Sequence, residues 1–350
     1  MQPDCIDLSM HQADRQMQRI IQGFWPQHGF SNTMHSDFDI LAGRAWKVLS
    51  AQTGMHCDDP VRVLSAREAG KGNWRVVARG DIAPPVILKF WTQGGAQKAQ
   101  NALRALVQAQ TALHSYPDFT APMPLAWDAQ SGAVLMGVCE GQTLGECLGA
   151  QSGDILAEDL KPALQWVAAL HAGSMVHDIP FAGLKKLHAL GRSASAGQMP
   201  EPELFHACFA QLALLAAQAA DLPNPAAFIH ADLTSSNILV DGPAVAGIDI
   251  NNVIRTSVAI DLAMLLCEVV TLYGQDMAAP AFSLVPPDWA AMCDAVYPAL
   301  PVDSASFRFF AGVRLLRIWL QTPRRAKDRS LRRAHVWQGT RIAAIRLLLG

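Results

Sequence analysis

Residues 230–240 read His-Ala-Asp-Leu-Thr-Ser-Ser-Asn-Ile-Leu-Val, and residues 247–250 read Gly-Ile-Asp-Ile. Short apolar runs at 228–230, 237–240 and 245–250, broken by polar loops and by the turn dipeptide Asp241-Gly242, predict three short strands. His230, Asp232 and Asn237 then fall on one loop, and Asp249 ends the following strand. Two carboxylates and a carboxamide brought together this way form an oxygen-rich pocket. Such a pocket suits Mg²⁺, which binds few carboxylates and takes its other ligands from water and phosphate. Loops on a rigid support are where chemistry is usually carried.

Working outward, this island is flanked by helical patterns. Apolar spacing predicts helices over 155–172, 203–221, 258–274, 303–321 and 330–349. Upstream the period changes. Residues 61–67, 74–79 and 86–91 are β-prone runs separated by Gly-containing or Pro-containing turns, the pattern of an antiparallel three-stranded sheet. A helix over 95–115, carried by Leu103, Leu106, Val107 and Leu113, and two further runs at 124–127 and 133–138 complete a small β-rich lobe. Residues 139–143 connect it to the helical part. Before it, Phe38, Ile40, Leu41, Ala45, Trp46 and Leu49 suit one amphipathic helix. The expected organisation is an N-terminal helical extension over 1–60, a small lobe of sheet and helix over 61–138, and a mainly helical lobe over 139–350 that holds the polar island.

Composition narrows the classes of partner. The 350 residues are 51% hydrophobic and 17% charged, the latter below the roughly 25% of ordinary soluble chains, so many helices must be buried on several sides. A net charge of −2 gives no global field for nucleic acid or an anionic membrane. The apolar stretches 205–220 and 258–273 are interrupted by polar residues and read as core helices rather than spans. The N-terminus has no basic start followed by an apolar run, and a cytoplasmic location is expected. The 7 cysteines form neither a C-x-x-C pair nor a Cys/His ligand spacing, so they read as small apolar fillers.

The quoted run resembles the catalytic and metal-binding loops of the aminoglycoside phosphotransferase and choline kinase superfamily, relatives of protein kinases with the pattern H-x-D-x-x-x-x-N followed by a strand ending in I-D-[FIW]. The resemblance implies an α+β, protein-kinase-like two-lobe fold with a small antiparallel β lobe and a larger mainly helical lobe. By the same resemblance Asp232 positions and deprotonates an acceptor hydroxyl, His230 braces the loop, and Asn237 and Asp249 hold Mg²⁺ on the phosphates of ATP. Gly70, Gly72 and Asn73 match the family's phosphate-covering turn, where glycine lets backbone N–H groups approach oxygens. Lys89 takes the third-strand place of the lysine that reaches the α- and β-phosphates. Met136 and Val138 lie in the segment whose backbone binds adenine, the run from Trp166 to His171 resembles the family's LxxLH helix, and Asp261 matches a buried aspartate that supports the catalytic loop.

The resemblance departs at one place. Kinases of this type usually pair the strand-three lysine with a glutamate on the next helix, yet no Asp or Glu lies between Lys89 and Asp118. Gln97, Gln100, Gln108 and Gln110 are the polar substitutes, and a neutral amide holds an ammonium less strongly than a carboxylate. Other polar residues have simpler readings. His171, His177 and Asp178 read as structural, Asn251 and Asn252 as neighbours of an acceptor or of the loop, and the basic run from Arg324 to Arg333 as a solvated helix face. The expected activity is transfer of the ATP γ-phosphate to a hydroxyl of a small molecule by a monomer or homodimer. The acceptor is expected to be a sugar, an amino alcohol, or a phosphorylated or carboxylated metabolite, because residues 305–350 hold Asp328 as their one acidic residue against many arginines. The alternative is a nucleotide-binding regulatory protein with weak or no kinase activity.

Overall fold

The structure is a computed structural model, and it describes residues 32–55, 61–68, 74–80, 82, 84–151, 155–177, 179–195, 199–273, 278–324 and 331–350. Two compact units emerge, one of residues 1–107 with 122–139, the other of residues 108–121 with 140–350.

In the first unit, helix α1 (Asn32–Thr53) precedes strands β1 (Val61–Glu68), β2 (Trp74–Gly80) and β3 (Val86–Trp91). Helix α2 (Gly95–Leu113) follows, with its last residues assigned to the second unit, and strands β5 (Pro124–Asp128) and β6 (Ala133–Gly137) close an antiparallel sheet of order β1-β2-β3-β6-β5. Period-two alternation gives this sheet two cores. Val86, Leu88 and Phe90 point to the face that packs Phe38, Ala42, Ala45, Trp46 and Leu49 of α1. Trp91, Val134 and Met136 meet Ala99, Ala102 and Leu106 of α2 on the other, joined by the half-buried Ile87. The buried stripe of α1 runs 38, 42, 45, 46, 49, a helical repeat that leaves Ile40 and Leu41 exposed, contrary to the sequence pattern; Val107 of α2 is likewise exposed. Burial of each large side chain in these stripes contributes about 1.5–3 kcal/mol. At the start of α2, a Cβ on Gly132 (φ +62°) would lie 2.5 Å from Gly95 Cα, so only glycine permits this backbone approach.

The second unit is mainly helical. Strand β4 (Phe119–Thr120) and the short β7 (Gln142–Thr143) lead to α3 (Leu144–Ala150), α4 (Ala157–Ala172), α5 (Gly183–Ser195) and α6 (Pro202–Ala220). The polar island follows as β8 (Ala226–Phe228), a 3₁₀ turn (Ser235–Asn237), β9 (Ile238–Asp241), β10 (Ala244–Gly247) and β11 (Arg255–Ser257). Helices α7 (Ala259–Tyr273), α8 (Pro287–Val296), α9 (Ala305–Arg324) and α10 (Leu331–Leu349) complete it. A four-stranded sheet of order β4-β10-β9-β7 and the β11-β8 pair carry the island's loops. Thr143 and Glu146 form a reciprocal capping box that starts α3. Helix α6 is long and apolar enough to cross a membrane, yet it buries Phe205, Cys208 and Leu212, with the Phe205 ring 6.3 Å from that of Trp319 on α9. That packing ties one face of α6 into the second unit, while Leu214 stays exposed. Helices α3, α5 and α8 and strands β4, β7 and β11 are additions to the elements predicted from periodicity, which is weakest for short segments.

Candidate active site

The loop between β8 and β9 is held from outside by one helix. Asp261, fully buried in the first turn of α7, accepts hydrogen bonds from the backbone N–H groups of His230 (2.7 Å) and Ala231 (2.8 Å). It also meets His171 Nε2 at 3.1 Å, and His171 Nδ1 lies 3.0 Å from the Tyr297 hydroxyl. Helix α4, the buried carboxylate and α8 thus form one polar chain beneath the loop. Tyr297 is pushed up from its ordinary pKa, first by burial and then by the Asp261 charge, so its hydroxyl stays protonated at neutral pH. Ala231 sits at φ 67°, a left-handed conformation that a residue with a Cβ adopts at a cost of order 1 kcal/mol or more. The Asp261 carboxylate offsets that cost by taking the Ala231 N–H.

Within the loop, His230 and Asn237 bind it to the segment that follows β10. His230 Nε2 lies 2.7 Å from the Ile248 carbonyl, and Asp232 N–H approaches His230 Nδ1 at 3.4 Å. Both contacts are satisfied by the neutral tautomer that carries its proton on Nε2. Asn237 Nδ2 donates to the Asp232 carbonyl (2.8 Å), and the Asn237 carbonyl accepts from Ile248 N–H (2.9 Å). Asp232 and Asp249 therefore belong to loop segments tied together by the His230 imidazole and the Asn237 backbone carbonyl, while the Asn237 carboxamide closes the loop on the Asp232 carbonyl. Asp249 lies two residues beyond the end of β10, at φ 64°, rather than on the strand as the sequence pattern placed it. Its backbone and side-chain oxygens accept from Asn251 Nδ2 at 2.6 and 2.9 Å. Asn252 bonds the Ile229 and Ile254 carbonyls, so both asparagines staple loops.

Close approach of a large ring completes the support. Trp166 of α4 donates its indole N–H to the Thr120 carbonyl (2.8 Å) and sets its ring edge-on to His230 at 6.3 Å. A Cβ on Gly247 would lie 2.1 Å from that indole, so the glycine before Ile248-Asp249 is what lets the tryptophan reach the site.

Glu268 is the residue that sequence reasoning missed. Its carboxylate accepts the Ser235 N–H at 2.5 Å, at the far end of the loop between β8 and β9. Burial raises its pKa, and the nearby Asp232 charge acts in the same direction, while the Ser235 hydrogen bonds and Arg314 oppose the shift. Asp261 and Glu268 stand seven residues apart, two turns along one face of α7. The signal was present as two acids at helical spacing in an otherwise apolar helix.

The donor set fits a hard cation of low protein coordination. With its amide N–H₂ turned to the Asp232 carbonyl, Asn237 keeps its side-chain oxygen as an acceptor, and Asp249 and Asn237 are half-buried. Among the described residues no group of three or more His, Cys, Asp and Glu side chains could hold a metal ion. His171 and the exposed His177 form no such group, and Asp178 lies outside the described residues.

In the first unit, Lys89 lies on β3, the central strand, between Val77 and Val134, and is 5% exposed. Alternation sets it on the face of Ile87 and Trp91, with Nζ 5.2 Å from the Trp91 ring centroid. It is not a snorkelling edge residue. Of the amides considered as its partners, Gln97 bonds Asn101 (2.9 Å) and Gln100 (3.4 Å) along an exposed face of α2, and Gln110 Nε2 bonds the Ala121 carbonyl. Gln108 keeps its Oε1 buried with no hydrogen-bond partner among the described residues. Met136 packs its side chain into the core under α2. The N–H groups of Gly137 and Val138 donate to the Met123 (2.9 Å) and Pro85 (3.3 Å) carbonyls. Both of these N–H groups are therefore engaged within the unit. Gly70, Gly72 and Asn73 lie outside the described residues.

Comparison with known proteins gives the same frame. A choline/ethanolamine kinase family protein from Mesorhizobium loti aligns with a TM-score of 0.56 at 17% identity, over 88% of this chain and 99% of its own. A glucosamine kinase in complex with glucosamine, ADP and inorganic phosphate gives 0.53 at 13% identity, over 84% and 83%. An amicoumacin kinase in complex with AMP-PNP, Ca²⁺ and its antibiotic gives 0.51 at 12% identity, over 81% and 87%. At such identities the likeness is one of fold. A search of curated proteins by sequence gives no match. The model of the phosphotransferase enzyme family matches residues 63–293, a span that holds Lys89, the clamped loop of Asp232 and Asn237, Asp249 and the Asp261 anchor, and the chain belongs to that family.

Proposed function

We propose that this protein is an ATP-dependent small-molecule kinase that moves the γ-phosphate to a hydroxyl of its acceptor. The observation that carries the reading is the clamp: His230 and Asn237 tie the Asp232 loop to the Asp249 segment, so a base and a metal-ligand pair share one rigid support. Asp232 is exposed at the loop surface, free to accept the hydroxyl proton as the acceptor oxygen bonds to the γ-phosphorus and the bond to the β,γ-bridging oxygen breaks, releasing ADP. Asn237 and Asp249 are the residues to hold Mg²⁺, which supplies neutralisation of phosphate charge. Lys89 adds fixed positive charge for the phosphates in the first unit, and Gly70, Gly72 and Asn73 the covering turn, with adenine on the 136–138 segment. The chain's own task is positioning and fixed charge, because phosphoryl transfer has a loose, charge-spread transition state.

Several features support the remaining expectations. The glucosamine kinase complex holds ADP and the amicoumacin kinase complex holds AMP-PNP, both on this fold. Burial pushes Cys139, Cys267 and Cys293 up to about 12 and Cys208 to about 11, so these thiols stay protonated and serve packing. The test is Mg²⁺-dependent ATP turnover across a panel of hydroxylated metabolites, beside Asp232→Ala. Transfer should fall by about 10²–10⁴-fold in the variant with nucleotide binding retained. Tight Mg·ATP binding with no acceptor phosphorylated would instead establish the regulatory reading.

A further inference from the structure

Three cations of the second unit are not used by the reading above: Lys186 on α5, and Arg314 and Arg317 on α9. None of the three makes a hydrogen bond or ion pair with any of the described residues. Arg314 is half-buried, and its Nε is fully buried with no hydrogen-bond partner. Lys186 is half-buried as well, and its pKa is lowered by burial and then by Arg317 nearby. Arg314 and Lys186 are partly withdrawn from water with no anionic partner among the described residues, and Arg317 is exposed beside them, so an anion arriving here would meet cations that nothing else pairs.

Their place in the unit says what supplies it. Cys267 Sγ meets the Ala311 carbonyl at 3.6 Å, fixing α9 against α7 beside Glu268, and Arg314 lies one turn beyond Ala311. Phe181 and Gly183 at the start of α5 pack on Phe309 of the same helix α9, with Lys186 one turn further along. Glu268 is the carboxylate on that side of α7, but its oxygen is engaged by the Ser235 N–H and no ion pair closes between it and Arg314. Burial raises the pKa of Glu268 and Arg314 opposes that shift, so the two groups feel one another without closing an ion pair. The same Glu268 holds the far end of the loop that carries Asp232.

Resting on the kinase reading, we infer that the acceptor bears, besides its reactive hydroxyl, a carboxylate or phosphate group that is bound by Arg314 with Arg317 and Lys186. A guanidinium presents paired N–H donors that match either anion in a bidentate fashion, while the ammonium adds a compact charge. The site excludes cationic acceptors by repulsion and leaves neutral ones without an anchor.

The test compares acceptors matched in carbon skeleton, namely polyols and their amino, carboxylated and phosphorylated forms with three to six carbons, using the full chain with Mg·ATP. The best acceptor should be carboxylated or phosphorylated, and which of the two classes wins identifies the anion. Arg314→Gln and Arg317→Gln should each reduce the preference for that acceptor over its neutral analogue by about 10- to 100-fold, mainly through KM. Arg341→Gln, a cation paired with Glu201 at 2.7 Å outside this cluster, should keep the preference. A neutral or amino acceptor as the best substrate, or an unchanged preference in both variants, overturns the inference while leaving the kinase reading intact. Loss of Mg·ATP turnover on every acceptor would overturn the kinase reading itself. In that case binding of inorganic phosphate to the chain saturated with Mg·ADP decides the anion site: affinity lost in Arg314→Gln sustains it, and no binding by the parent chain overturns it.

Discussion

The two units position their polar residues by opposite means. In the first, Lys89 is fixed by a regular ladder, flanked by Val77 and Val134 on the central strand and set over the Trp91 ring. In the second, His230, Asp232, Asn237 and Asp249 stand on loops that include left-handed backbone, and buried side chains of α7 hold those loops in place. A ladder positions a side chain through local pairing that many sequences would preserve. A loop keeps its shape only if particular distant carboxylates satisfy its N–H groups, so the second unit's site is the more exposed to a single substitution.

Three substitutions would sharpen or break that contrast. Asp261→Ala should have the largest effect, because it strands the His230 and Ala231 N–H groups and His171 in a buried place at once. A loss of about 3–5 kcal/mol is expected, read from denaturant midpoints, together with loss of transfer. A stability change under about 1 kcal/mol would show that the loop holds itself. Glu268→Gln comes next and is visible mainly as a pH dependence. The raised pKa of Glu268 means the native state binds its proton more tightly than the unfolded chain does. The associated stability is complete below the ordinary 4.5 and is lost as pH rises through the raised native value. Glutamine keeps an oxygen for Ser235 and does not titrate, so the variant should gain on the parent as pH rises from acid to neutral; a constant difference across that range would contradict the account. Lys89→Met should leave stability within about 1 kcal/mol, since an apolar chain of similar length fills the same ladder position. Transfer should nevertheless fall by about 10²-fold or more. Unfolding of this variant, with activity per folded molecule retained, would reverse the comparison between the units.

The same contrast explains what could be read without coordinates. Strands at 61–67, 74–79 and 86–91 were legible because period-two alternation and turn residues act locally, and their bounds match β1 to β3 within a residue. The H-x-D-x-x-x-x-N spacing was legible as a family signature, and the family model matches over the span that holds it. The buried stripe of α1 was harder. Ile40 and Leu41 are as apolar as the residues beside them, and only the sheet against which Phe38, Ala42 and Trp46 pack decides which side turns inward. Glu268 was read merely as an interruption in an apolar run, because its partner, the Ser235 N–H, lies 33 positions away in the chain.

The sequence by itself determined the class of elements, the order in which they follow one another, and the residue types brought to the island between β8 and β11. Those depend on periodicity, turn chemistry and side-chain functional groups, all properties of neighbours along the chain. Tertiary structure alone decided that Asp261 and Glu268 hold opposite ends of the loop between β8 and β9, that Trp166 reaches His230 across Gly247, and that the half-buried Arg314 keeps its Nε unpaired beside α7. Each of these is a contact between helices and loops far apart in sequence, where desolvation makes the pairing of every polar group matter and where no local pattern records which partner will be met.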